Sequence, residues 1–155
     1  MVISPSLREE IERENARYPR ARGGLLSALH RLQQEHGAIT PEHANELAEI
    51  FALRPVEVLE VVSFYNMFSD HPEGRHRVCV CTNLPCSLRG ARSLLRELEA
   101  HLGIEVGGTT DDGRVTLKHE ECLGACAYAP MMRIDDQYHE DLDAEKAKAI
   151  LDSLE

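Results

Sequence analysis

The stretch Arg77-Val78-Cys79-Val80-Cys81-Thr82-Asn83-Leu84-Pro85-Cys86-Ser87-Leu88 decides the fold. Its first half is β-branched and apolar and forms a strand, with Cys79 and Cys81 on one face and Val78 and Val80 on the other. Its second half leads into an amphipathic helix carrying Leu88, Leu94, Leu95, Leu98 and Leu102, which stops at Gly103. Downstream, Gly107-Gly108 and Asp112-Gly113 are turns, and Val115 and Leu117 alternate with polar neighbours as a second strand. Residues 131–134 make a third strand, and residues 138–140 a short fourth after Asp135-Asp136. Asp143 caps a last helix that buries Ala147, Ile150, Leu151 and Leu154. The order strand, helix, three strands, helix implies a small α/β or α+β layer in which helices cover a mixed sheet.

Upstream of this unit the chain is helical throughout. Ser4-Pro5 opens a helix whose stripe begins with Leu7 and Ile11 and fades at Tyr18-Pro19. A second follows Gly23-Gly24, with Leu25, Leu29 and Leu32 on one face and a stop at His36-Gly37. Thr40-Pro41-Glu42 starts a third, combining a hydroxyl cap, proline at the first helical position and a carboxylate at the positive end of the dipole. Leu47, Ile50 and Phe51 are its buried face. The fourth begins near Pro55, and Val58, Leu59, Val61, Val62 and Tyr65 make it apolar enough all round to sit centrally. Four short helices with tight connections make a small bundle. The polar loop with Ser69, Asp70, Pro72 and Gly74 marks the domain boundary, giving a bundle over 1–70 and an α/β domain over 71–155.

A chain of 155 residues that is 43% hydrophobic can bury one ordinary core or two small ones. With 17 basic against 27 acidic residues and a net charge of −10, it is a poor partner for nucleic acid, whose binding rests on Lys and Arg releasing counterions. The longest apolar stretch, Val58 to Tyr65, is interrupted by Glu60 and Ser63 and is too short to cross a bilayer. Glu9 and Glu10 fall where a signal peptide needs an apolar core. These features predict a soluble cytoplasmic protein, and in that reducing compartment spaced cysteines serve as metal ligands or catalysts more often than as disulfides.

Four of the five cysteines form two clips, Cys81 with Cys86 and Cys122 with Cys126. Four thiolates are the ligand set of a [2Fe–2S] cluster, and their softness selects iron–sulfur, zinc or cuprous copper. The gaps of four and three residues differ from the two-residue gap usual in zinc clips, and Cys81 and Cys86 are too far apart for a thioredoxin-type redox pair. Neither clip contains the histidines of a Rieske centre. Spacing therefore favours iron–sulfur over zinc, which stays open as the rival. Cys86 falls at a helix N-terminus, where free N–H groups favour a thiolate, and Gly124 lets the backbone bend near the metal. Loop N–H groups with Asn83, Ser87 and Arg89 are the available donors, whereas Glu120 and Glu121 beside Cys122 favour a low potential. Cys79 has no spaced partner and is a small core residue. His119 is a solvated strand residue, and no phosphate-cradling glycine motif or nucleophile–base pairing is present.

The run Cys81-Thr82-Asn83-Leu84-Pro85-Cys86-Ser87-Leu88-Arg89-Gly90, followed by Glu121-Cys122-Leu123-Gly124-Ala125-Cys126-Ala127-Tyr128-Ala129-Pro130, resembles the thioredoxin-like [2Fe–2S] ferredoxin family. The similar branch is the E-type component of NADH–quinone oxidoreductase, respiratory complex I. Pro19-Arg20, Gly37-Ala38-Ile39-Thr40-Pro41 and Val61-Val62-Ser63-Phe64-Tyr65-Asn66-Met67-Phe68 are similar to that branch's helical region, so the resemblance spans nearly the whole chain. It implies an α+β protein, an N-terminal helical bundle followed by a thioredoxin-like domain with a small mixed sheet. It also implies one [2Fe–2S] cluster at that domain's edge, held by Cys81, Cys86, Cys122 and Cys126.

The same resemblance implies a partner, the flavoprotein subunit that carries FMN and binds NADH, with which the cluster exchanges one electron at a time. The chain would then be an oxidoreductase component with no complete active site of its own, in the peripheral arm of a membrane-bound complex. The equivalent diaphorase component of an NAD-linked hydrogenase or formate dehydrogenase is the alternative, and a zinc-stabilised interaction module is the alternative from another class.

Overall fold

The computed structural model describes residues 2–155. It divides into two compact units, the second of which runs from Glu73 to Glu155.

Among its described residues the first unit holds four α-helices, α1 (Pro5–Asn15), α2 (Leu25–His36), α3 (Pro41–Phe51) and α4 (Pro55–Phe64). Their ends follow local chemistry. The Ser4 hydroxyl accepts from the Leu7 N–H, and prolines occupy the first turns of α1, α3 and α4. α1 ends at Asn15, short of Tyr18-Pro19, and a 3₁₀ turn over Ala21–Gly24 leads into α2. The return is tight at Gly24, where a Cβ would lie 2.7 Å from the Asn15 Oδ1 and 3.2 Å from its Cα. Leu7, Ile11, Leu25, Leu29, Leu32, Leu47, Phe51, Val58 and Val62 form one buried cluster. Ile50 only packs against its edge.

α4 departs from the expected central helix. Only Val58 and Val62 are buried along it, while Val56 is half exposed and Phe64 is 76% exposed. Residue composition alone cannot tell a water-facing apolar side from a core-facing one, and here the helix lies on the surface of its unit.

The second unit is a four-stranded mixed sheet in the order β2-β1-β3-β4, with β1 (His76–Cys81), β2 (Val115–Glu120), β3 (Met132–Ile134) and β4 (Gln137–His139). β1 and β2 are parallel neighbours, so the chain between them must cross over, and it does so through α5 (Leu84–Leu88) and α6 (Ala91–Leu102). β1, β3 and β4 pair antiparallel. The last helix is α7 (Ala144–Asp152), with the Asp143 carboxylate accepting from the Lys146 N–H. Val78 and Val80 join Leu117, Met132 and Ile134 from the sheet with Leu94, Leu98, Ala147 and Leu151 from α6 and α7 in one core.

The single helix expected from Leu88 to Leu102 is two helices. Gly90 sits at φ +94°, and this left-handed residue ends α5 and starts α6. Leu88 therefore leaves the apolar stripe and is 78% exposed. No helix among the described residues is long and apolar enough to cross a membrane.

Candidate metal centre

The two cysteine clips meet at one end of the sheet. Cys81 closes β1, opposite Glu120 at the end of β2, and its N–H donates to the Met131 carbonyl. Thr82 continues the pairing, its N–H and hydroxyl both donating to the Glu120 carbonyl at 2.9 and 3.2 Å. The chain then turns into α5, capped by Asn83, so that Cys86 faces back toward Cys81. The Ser87 hydroxyl donates to the Thr82 carbonyl at 2.8 Å and closes this clip on itself. The Ser87 hydroxyl thus serves the loop's own backbone in place of the expected role as a donor to sulfur, while Asn83 caps α5 with its carbonyl oxygen.

Cys81 and Cys86 are buried with Ala91, Ala129 and Met131, and Leu123 and Ala125 from the second clip pack against this group. The Cys86 thiol hydrogen-bonds to Cys81, and Cys126 is close enough to act on it electrostatically. The structure thus pairs Cys81 with Cys86 and places Cys126 within electrostatic reach of that pair. Cys122 is exposed on the same second loop, with the Gly124 N–H donating to its Sγ at 3.4 Å. Gly124, at φ +82°, makes that reach possible. Among the described residues no three His, Cys, Asp or Glu side chains converge as a single ion requires. A two-iron core needs less, because its four cysteines are shared between two metals.

Burial, then the hydrogen bond to Cys81, push the Cys86 thiol up to about 11, and the Met131 N–H works against them. The expected thiolate-favouring effect of the helix end is thus outweighed by desolvation while the site is a set of thiols. A metal reverses this balance, since coordination removes the protons and the thiolates become the stable form. The donor set, the apolar lining and the two backbone N–H groups directed at sulfur fit an iron–sulfur cluster.

Cys79 lies two residues back on the same face of β1, fully buried and 3.8 Å from the Arg133 guanidinium. Burial raises its pKa, and the Arg133 charge acts in the opposite direction. It belongs to the sheet and not to either clip.

Residues 11–155 match the sequence profile of the thioredoxin-like [2Fe–2S] ferredoxins. The chain belongs to this family. Among curated relatives it is 44% identical over 149 residues to the second E-type NADH-quinone oxidoreductase component of Rhizobium meliloti (strain 1021), covering 96% of this chain and 89% of that one. It is 38% identical to the mitochondrial NADH dehydrogenase [ubiquinone] flavoprotein 2 of Dictyostelium discoideum, of which it spans 60%. It is 39% identical to the E-type NADH-quinone oxidoreductase component of Mycobacterium tuberculosis (strain ATCC 25618 / H37Rv), of which it spans 55%. Among solved structures it superposes on a chain of an NAD+-reducing [NiFe]-hydrogenase with a TM-score of 0.71 at 29% identity, covering 83% of this chain and 22% of that one.

Two features of the site lay outside what the sequence shows. The Met131 backbone joins both cysteines of the first clip, and the Tyr138 hydroxyl donates to the Leu123 carbonyl at 2.7 Å. Tyr138 is on β4 and Met131 directly precedes β3, so both stand beside the clips through sheet pairing, which no local motif encodes.

Proposed function

We propose that this chain is the one-electron carrier of an NADH–quinone oxidoreductase, holding a [2Fe–2S] cluster on Cys81, Cys86, Cys122 and Cys126. The observation that carries this reading is the meeting of two clips remote in sequence, with a buried Cys81–Cys86 pair and Cys126 beside it. The family relationship and the 44% identical Rhizobium meliloti relative support it. When bound, the cluster supplies a site that accepts and releases single electrons, which suits a partner flavin receiving electron pairs from NADH.

The chain's own residues do the rest. The apolar lining of Ala91, Ala129 and Met131 limits water at Cys81 and Cys86, and the Gly124 and Met131 N–H groups stabilise negative charge on sulfur. FMN and NADH belong to the partner flavoprotein subunit. The bundle domain (1–70) offers that partner the exposed Val56, Phe64 and Met67, and the thioredoxin-like domain (71–155) offers Leu84, Leu88 and Tyr128 beside the clips. In such an assembly the chain sits in the peripheral arm of a membrane-bound complex.

Anaerobically purified protein is expected to be reddish, with about two irons per chain and a paramagnetic signal on reduction. Serine at any of the four positions should abolish the signal. Colourless protein with stoichiometric zinc would overturn the assignment. The likeness to the hydrogenase chain favours a second reading, the same carrier in an NAD-linked hydrogenase. Genes for membrane-embedded components beside the coding region support the first, and a nickel-enzyme gene the second.

A further inference from the structure

We infer that Tyr138 is a positioning residue for the cluster, holding one peptide of the second clip so that its N–H points at the Cys122 sulfur. The inference rests on the cluster reading proposed above. Tyr138 lies on β4, where its position opposite Arg133 of β3 is fixed by the antiparallel register. From there its hydroxyl donates to the Leu123 carbonyl at 2.7 Å, across fifteen residues of sequence.

The consequence follows from peptide geometry. The Leu123 carbonyl and the Gly124 N–H belong to one peptide unit, which is planar and trans, so the two groups point in opposite directions. Fixing the carbonyl toward Tyr138 fixes the N–H on the other side, where it donates to the Cys122 Sγ at 3.4 Å. Gly124 at φ +82° could otherwise rotate freely, since a residue without Cβ has few steric limits and no atom lies within 4 Å of its Cβ position. Cys122 and Cys126 are both exposed, unlike Cys81 and Cys86, so apolar packing holds this arm of the site least. The phenol supplies the missing constraint.

Hydrogen bonds to sulfur favour the reduced, more negative cluster. Removing the Tyr138 hydroxyl therefore lets the Leu123–Gly124 peptide turn, weakens the N–H···S bond and makes the cluster harder to reduce. Tyr138 is half exposed and its ring persists in Tyr138→Phe, so the variant is expected to fold and to take up iron.

The test uses the full chain. In Tyr138→Phe the midpoint potential from an anaerobic titration followed by electron paramagnetic resonance should move to more negative values at unchanged iron content. With 15N-glycine labelling, the hyperfine coupling between the reduced cluster and the Gly124 nitrogen should weaken. In the metal-free protein, alkylation of the exposed Cys122 should slow in the variant, because its thiolate loses the Gly124 N–H, while that of buried Cys86 stays the same. Unchanged potential, coupling and alkylation in a variant that holds iron would overturn the inference and leave the cluster assignment standing. A wild-type chain that takes up no iron would overturn the assignment itself, and the inference with it.

Discussion

Acid should loosen α3 through a single side chain. His43 is 3% exposed, and its Nδ1 accepts the Thr40 N–H at 3.1 Å while its own N–H donates to the Thr40 hydroxyl. Together these form a capping box with histidine in the place usually held by Glu or Gln. The arrangement requires a neutral ring, because a protonated Nδ1 is a donor facing another donor. Burial is the main cause that lowers the His43 pKa, followed by the adjacent His36 ring at 4.6 Å, and the Ala38 carbonyl, Glu46 and Glu42 only partly oppose them.

A pKa below the ordinary 6.5 fixes the sign. The unfolded chain takes up a proton first as pH falls, so the stability His43 contributes is complete above 6.5, declines below it and is gone beneath the folded-state value. The lowered carboxylates do not share this window. Glu14, lowered by the Ser27 and Arg31 hydrogen bonds, and Glu42, lowered by the Thr40 hydroxyl, start from 4.5 and act at more acid pH.

Loss of a cap costs about 1 kcal/mol. Proton uptake by the unfolded chain limits the loss to about 1.4 kcal/mol per pH unit below 6.5, so a drop of about 1 kcal/mol is expected between about pH 7.5 and 5.5. Hydrogen exchange read by mass spectrometry on the intact chain, corrected for intrinsic rates, resolves α3 peptides from those of β1 and α6. His43→Gln keeps an acceptor for the Thr40 N–H without a titrating group, so its α3 peptides should lose less than half as much. An equal loss in wild type and variant would refute the role given to His43.

Two further substitutions bear on the site and its partner. Cys79→Ala should cost about 1 kcal/mol through a small core cavity yet leave iron content and the reduced-state signal unchanged, as measured by denaturation and metal analysis. Phe64→Ser, on a side chain already in water, should change the stability of the chain by less than about 0.5 kcal/mol while lowering the yield of co-purified flavoprotein.

Much of the fold is legible because its punctuation is local. Ser4, Thr40 and Asp143 each cap the helix that follows, and the prolines at residues 5, 41 and 55 sit in the first turns, as their chemistry requires. The break at Gly90 escapes such reading, since Leu88 and Leu95 are spaced seven apart in register and the stripe passes over a left-handed glycine without interruption. At the site, the four cysteines and Gly124 stand out by residue type and spacing. Tyr138 and Met131 do not, because their roles come from sheet register and a backbone amide.

The charge around the site shows the same division. Glu120 beside Cys122 suggests from sequence alone a full negative charge opposing reduction. In the fold its carboxylate lies 3.5 Å from Arg133, and the neighbouring Glu73 takes Lys118 at 2.6 Å and Arg77 at 3.4 Å. A close ion pair acts at a distance as a dipole, and its field falls off faster than that of one charge. On this sheet face two carboxylates therefore meet three cations, and Glu121 is the exposed acid next to Cys122. Groups in direct contact with sulfur then outweigh the acidic side chains. Here these are the Gly124 and Met131 N–H groups, one near each clip. For a cluster held as proposed above, the potential is expected to follow from how firmly those two peptides are held, more than from the net charge of −10 spread over the chain.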